Sequence, residues 1–169
     1  TTMPTTEAAP EPGPERDGNA PCIAIPGLNA TDNPGPGVSV ARAIRHDPAF
    51  TGRLVGLAYD VLDPGAYAKG LFDAVYLVPY PSAGSEALEA RLRYIHEAQS
   101  LDVIIPTLDS ELPGFQALEQ TRADLGIGMF LPTPEQLDLR SKVHLVELGE
   151  VTGLPVPRTT LLAAPEDVD

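Results

Sequence analysis

Leu54-Val-Gly-Leu-Ala-Tyr59, Ala74-Val-Tyr-Leu-Val78 and Asp102-Val-Ile-Ile-Pro106 are three short, continuous apolar runs. Each is followed at its far end by an acid or a proline: Asp60, Pro79 and Pro106. Unbroken apolar runs mark strands buried on both faces, because successive strand residues point to opposite sides. Cys22-Ile-Ala-Ile25 is a shorter run of the same kind upstream, and residues 126–131 offer a fifth. Between the runs the apolar period lengthens. Val38, Ala41 and Ile44 mark one helix face, which ends near His46 and Asp47 before Pro48. Leu88, Leu92 and Ile95 mark a second, with Glu86, Glu89, Arg91 and Arg93 on its solvated side. Phe115, Leu118 and Leu125 mark a third. Strands alternating with helices predict an α/β fold: a Rossmann-like parallel sheet of about five strands, with helices on both faces, over residues 22–132.

The composition supports a folded domain. The chain has 169 residues, 43% of them hydrophobic and 21% charged. That is enough apolar material to offset the entropy of ordering. With 24 acidic and 11 basic side chains the net charge is -13. Such a balance excludes free nucleic acid as a ligand, since phosphates need clustered Lys and Arg. No apolar run approaches the ~20 residues that span a bilayer, so no membrane partner is expected. No basic segment followed by an apolar one opens the chain, and a cytoplasmic location fits. The single cysteine, Cys22, rules out an intramolecular disulfide and any multi-cysteine metal site.

The flanks differ from the centre. Residues 1–21 are rich in Pro, Glu, Thr and Ala and are expected to be a disordered tail. From Pro132 the pattern changes. Thr133-Pro-Glu-Gln136 reads as a capping box, with Thr133 as N-cap, Pro134 in the first turn and Gln136 reaching back. A second helix is expected over residues 141–150, and then Gly153-Leu-Pro-Val-Pro-Arg-Thr159 connects to a strand over residues 160–163. A strand with no partner after it predicts that the chain is the N-terminal portion of something longer.

Candidate ligand-binding residues fall where the predicted strands end, because open α/β sheets bind ligands outside the carboxyl ends of their strands. Pro34-Gly-Pro-Gly37 leads into a helix and could present N–H groups to an anion, or could merely join strand to helix. As a dinucleotide fingerprint it fails, since Val40 stands where the third glycine belongs and the glycines lie about ten residues past the strand. Asp109 and Glu111, in Thr107-Leu-Asp-Ser-Glu-Leu-Pro113, could orient a substrate or a metal; alternatively Asp109 or Ser110 caps the next helix. Asp60 is placed for a ribose or for solvent. His46, His96 and His144 are too scattered for a metal site. No Ser-His-Asp or Cys-His arrangement stands out, so no residue is assigned as catalytic and none as a metal ligand.

Taken together, Pro34-Gly-Pro-Gly-Val-Ser-Val-Ala-Arg42, Leu57-Ala-Tyr-Asp60, Asp73-Ala-Val-Tyr-Leu-Val-Pro79, the run from Asp102 to Pro113, Leu139-Arg-Ser-Lys142 and the connector from Gly153 form a joint pattern. It resembles the pre-ATP-grasp, N-terminal domain of an ATP-grasp ligase of the carbamoyl-phosphate synthase large-chain type, and is similar also to biotin carboxylases. The resemblance implies an ATP-dependent carboxylate–amine or related ligase working through an acyl phosphate. Residues 22–132 would be the pre-ATP-grasp domain, and residues 133–169 the linker helices and first strand of a truncated ATP-grasp module. It implies that Gly35, Gly37, Asp109 and Glu111 face a small carboxylate or amine substrate, and that Lys142 approaches the ATP phosphates. ATP and Mg would belong to the full-length protein. The family's phosphate lid and magnesium ligands come later than Asp169, so no cofactor and no catalysis are expected of this fragment alone. The remainder of the ligase would be its partner, and a homodimer is compatible with the reading. The competing expectation is a non-catalytic Rossmann-like module that binds a small ligand or a protein.

Overall fold

A computed structural model describes residues 20–31 and 34–160, together with Leu162 and Ala164. The expected tail therefore lies almost wholly outside the described residues, as do Leu161 and Ala163 of the expected last strand. The chain divides into two compact units, one reaching to Phe130 and one starting at Leu131.

The first unit is built on a parallel sheet. Its strands are β1 (Cys22–Ile25), β2 (Arg53–Ala58), β3 (Ala74–Leu77) and β4 (Val103–Ile104), in the order β3-β2-β1-β4. Ile23 pairs with Leu54 and with Val103, and Leu57 with Tyr76. The unbroken apolar runs are explained by what covers them. Leu54, Val55, Leu57 and Ala58 are all buried, so both faces of β2 are packed. On one face, Ile25, Leu54 and Ala58 meet Val38 and Ala41 of α1 (Pro36–His46). On the other, Tyr76 of β3 meets α2 (Ser85–Gln99): its ring lies edge-on to Tyr94, and its hydroxyl accepts from the Gln99 amide at 2.6 Å. Each fully buried Leu or Ile side chain contributes about 1.5–3 kcal/mol. Helix α2 stops where Ser100 turns left-handed, its N–H donating to His96 O at 2.7 Å.

After β4 come α3 (Leu112–Ala117) and α4 (Glu119–Leu125), which meet at Leu118. Among the described residues the sheet has four strands, not about five. The expected fifth strand is a single parallel bridge, Val103 to Gly128, with Gly128 donating to Asp102 O at 2.7 Å and accepting from Ile104 at 3.0 Å. Two features stop it there. Pro106 has no N–H, so the Ile104 bond to Gly128 O is the last that β4 donates towards this segment. On the other side, Phe130 is already exposed at 96% and Pro132 follows.

The second unit holds α5 (Pro134–Leu139), a 3-10 turn over Lys142–His144 and α6 (Leu145–Thr152). Thr133 caps α5 as read from the sequence. Its hydroxyl accepts from Gln136 N–H at 3.2 Å, and Gln136 Oε1 accepts from Thr133 N–H at 2.9 Å.

Candidate functional site at the carboxyl edge of the sheet

Strand order reverses between β1 and β4, since β2 and β3 extend from one side of β1 and β4 lies on the other. That reversal is where open α/β sheets hold ligands. The loops that follow β1 and β4 meet there: Thr107 Oγ1 donates to Pro26 O at 3.0 Å. Gly35 and Gly37 are buried, and the reason is close backbone packing. A Cβ on Gly37 would stand 1.8 Å from Pro26 O, and one on Gly35 would stand 2.4 Å from Asn29 O. The Gly37 N–H is given to Gly27 O at 3.0 Å, and Pro36 has none to give. Two of the first helix-turn donors are thus withdrawn from any anion. Gly35 itself borders a recess shared with Asn29, Arg42 and Gly65.

Glu111 lies at the same edge, closing a 3-10 turn over Asp109–Glu111. It is buried, at 2% exposure. Its Oε2 accepts from Thr107 N–H at 3.1 Å and Leu108 N–H at 3.2 Å, while its Oε1 accepts from the Tyr59 hydroxyl at 2.7 Å. Burial pushes the carboxyl up from its ordinary value, opposed by the Tyr59 hydroxyl and the two N–H donors. The Tyr59 phenol is pushed far above its usual range, first by burial and then by the charge of Glu111. Such a phenol keeps its proton and does not serve as an acid near neutrality. Asp109, by contrast, is exposed.

Tyr59, Tyr80 and Asp63, which the sequence did not mark as site residues, complete this edge beside Asp60, which it did. Tyr59 stacks on Tyr80, with ring centroids 5.6 Å apart. Asp63 is buried and accepts from the Tyr59 N–H at 2.9 Å and the Asp60 N–H at 3.3 Å. Asp60 closes the turn after β2 by accepting from Leu62 N–H at 2.8 Å, and its other oxygen meets the Tyr80 hydroxyl at 3.4 Å. The two rings and Asp60 border a recess shared with Asn29 and Thr31. The carboxyl ends of all four strands are therefore tied together, by hydrogen bonds from Pro26 through Thr107 and Glu111 to Tyr59 and by the ring stack from Tyr59 to Tyr80. The signal available in sequence is a tyrosine at the end of each of two apolar segments. It carries no instruction about which carboxylate the tyrosine meets.

Lys142 belongs to the second unit, where it is exposed in the turn preceding α6. His46 is exposed, His96 and His144 are half-buried, and Cys22 is buried. Among the described residues no group of three or more His, Cys, Asp or Glu side chains could hold a metal ion. No helix among them is long and apolar enough to cross a membrane.

No family model matches the chain, and no curated protein matches it. A solved structure does. The fold is similar to that of the biotin carboxylase domain of a single-chain bacterial carboxylase, with a TM-score of 0.52 and 23% sequence identity. The likeness covers 88% of this chain and 33% of the other, so the chain spans about a third of that protein's length. At this identity the comparison establishes the fold.

Proposed function

We propose that this chain is the N-terminal, substrate-side part of an ATP-dependent ligase of the ATP-grasp type, which joins a carboxylate to an amine or related acceptor. The observation that carries the reading is the likeness to a biotin carboxylase domain over 88% of the chain, which coincides with the joint sequence pattern from Pro34 to Thr159. On this reading the carboxyl edge of the sheet is one wall of the substrate cleft. Gly35 and Gly37 keep that wall's backbone tightly folded. Asp109 is its exposed carboxylate. Glu111 serves the wall from behind, through Tyr59 and the loop it holds. Lys142 offers a point charge to the ATP phosphates.

The donors among the described residues do not make up a Mg-ATP site. No metal-holding cluster occurs among the described residues, and the chain's net charge of -13 repels a nucleotide. ATP and Mg would be held by the remainder of the ligase, which is the partner this reading requires, in a cytoplasmic setting.

The test is steady-state kinetics of the complete ligase, following ADP release that depends on both carboxylate and acceptor. Lys142→Ala is expected to raise the KM for ATP, and Asp109→Ala the KM for the acceptor. Calorimetry of the 169-residue chain with Mg-ATP is expected to show no micromolar binding. Tight, saturable nucleotide binding by this chain that requires Mg, or unchanged kinetics in both variants, would overturn the reading.

A further inference from the structure

Only 11 of the 169 residues are Lys or Arg, against 24 acids. Three of those cations, Arg42, Arg45 and Lys69, nevertheless line a single recess of about 480 Å³ together with His46, and no carboxylate lines it. The recess lies between the second half of α1 and the turn at residues 68–71. Dipole compensation accounts for part of this cluster, since Arg45 and His46 stand in the last turn of α1. It does not account for Arg42, which is placed earlier, nor for Lys69, which lies on a different segment.

The three cations are held differently. Arg45 is pinned: its Nε donates to Leu71 O at 3.1 Å, one terminal nitrogen to Gly52 O at 3.3 Å, and the other to Asp73 Oδ2 at 2.5 Å. Its charge is balanced by Asp73, and its guanidinium packs over Phe50. Asp47, next to His46 in the chain, accepts from Ala49 N–H at 2.9 Å. Arg42 and Lys69 are exposed. Lys69 stands at the corner of a tight turn closed by Leu71 N–H on Ala68 O at 3.1 Å. Gly70 has φ +72° there, a conformation that favours glycine, so the turn fixes where Lys69 emerges.

We propose that this recess binds a small phosphate-bearing anion, gripped by Arg42 and Lys69 above a floor set by Arg45. Like charges gathered on an acidic protein repel one another until an anion is supplied, and a phosphate dianion carries charge enough for two cations. A polyanion such as nucleic acid is disfavoured by the field of the whole chain. The recess has room for a phosphorylated metabolite as well as for phosphate itself. The proposal does not depend on the ligase reading, because it involves none of Asp109, Glu111 or Lys142.

The test is a titration of the isotope-labelled chain followed by two-dimensional NMR, first with inorganic phosphate and then with glycerol 2-phosphate, at an ionic strength held constant with sodium chloride. Saturable shifts are expected at Arg42, His46, Lys69 and Gly70. The Arg42→Gln/Lys69→Gln double variant is expected to bind at least about tenfold more weakly, with an unchanged melting temperature because both side chains are on the surface. Tighter binding of the ester would identify a phosphorylated metabolite as the ligand, and equal binding would identify phosphate itself. Shifts reproduced by chloride, shifts elsewhere in the chain, or equal affinity in the double variant would overturn the proposal.

Discussion

Glu111 and Gln136 each turn a side-chain oxygen back to the backbone N–H three residues earlier, Leu108 at 3.2 Å and Thr133 at 2.9 Å. The local geometry is nearly the same, and the surroundings are opposite. Gln136 does this in solvent, at the start of α5. Glu111 does it at 2% exposure, with Thr107 N–H and the Tyr59 hydroxyl as further donors. The same half of a capping box is thus a helix start in one unit and a tie between strand ends in the other. The difference lies in desolvation. An exposed cap competes with water and is worth little more than its local bond, whereas buried donors that lose their acceptor bear the full penalty of being unpaired.

Removing the buried carboxylate is the strongest way to break the comparison. Glu111→Ala leaves two N–H groups and a phenol without their acceptor, at about 1–3 kcal/mol for each unsatisfied group. Water entering the vacated space offsets part of this, so the expected loss is about 3 kcal/mol in urea unfolding. The chain contains no Trp, so near-ultraviolet circular dichroism reports chiefly on tyrosine, and loss of the Tyr59–Tyr80 stack is expected to reduce it. A loss below about 0.5 kcal/mol, the range of ordinary surface changes, would place Glu111 in the same class as Gln136.

Tyr59→Phe removes one donor and leaves the other two, with an expected loss of about 1–2 kcal/mol near neutral pH. Its pH dependence separates the two partners. The Glu111 carboxyl is raised in the fold, so its contribution is fully present below its unfolded value and is lost as pH rises through the folded one. Glu111→Gln abolishes that titration, and the stability of the native chain relative to this variant is expected to fall as pH rises from the unfolded value. The Tyr59 phenol is also raised, so its contribution holds up to the unfolded value near 10 and is lost above it. The native chain's advantage over Tyr59→Phe is expected to shrink above about pH 10. Melting curves across pH check both slopes. A pH-independent difference for both variants would mean that neither group is ionisably coupled to folding.

The same contrast explains how much of the molecule is legible in its sequence. The strands β1 to β3 and helix α2 follow from runs and periods a few residues long, and so does the cap at Thr133. The fifth strand is overread because residues 126–131 are apolar enough to pair, while the end of pairing depends on Pro106, which stands on a different segment. Position after β4 is enough to put Glu111 at the correct edge of the sheet. Its burial is not legible, because Tyr59 is separated from it by 52 residues and only the parallel alignment of β2 with β4 across β1 brings them together. Asp63 and Tyr80 escape a sequence reading for the same reason. Their roles arise where loops from different strands converge, and no local spacing records that.

The smallest expected effect tests the exposed half of the comparison. Thr133→Ala removes the hydroxyl that accepts from Gln136 N–H, leaving that N–H to water. Substitution of such a cap costs about 1 kcal/mol of helix stability. Because α5 begins the second unit, the loss is expected as fraying within residues 133–140 rather than as a lower midpoint for the whole chain. Amide hydrogen exchange checks this: protection at Leu137 and Arg140, which donate to Thr133 O and Gln136 O, should fall about fivefold to tenfold. Protection across β1 and β2 should stay unchanged. If Thr133→Ala lowered protection in the sheet as much as in α5, the cap would be coupled to the core, and the distinction drawn between Glu111 and Gln136 would fail.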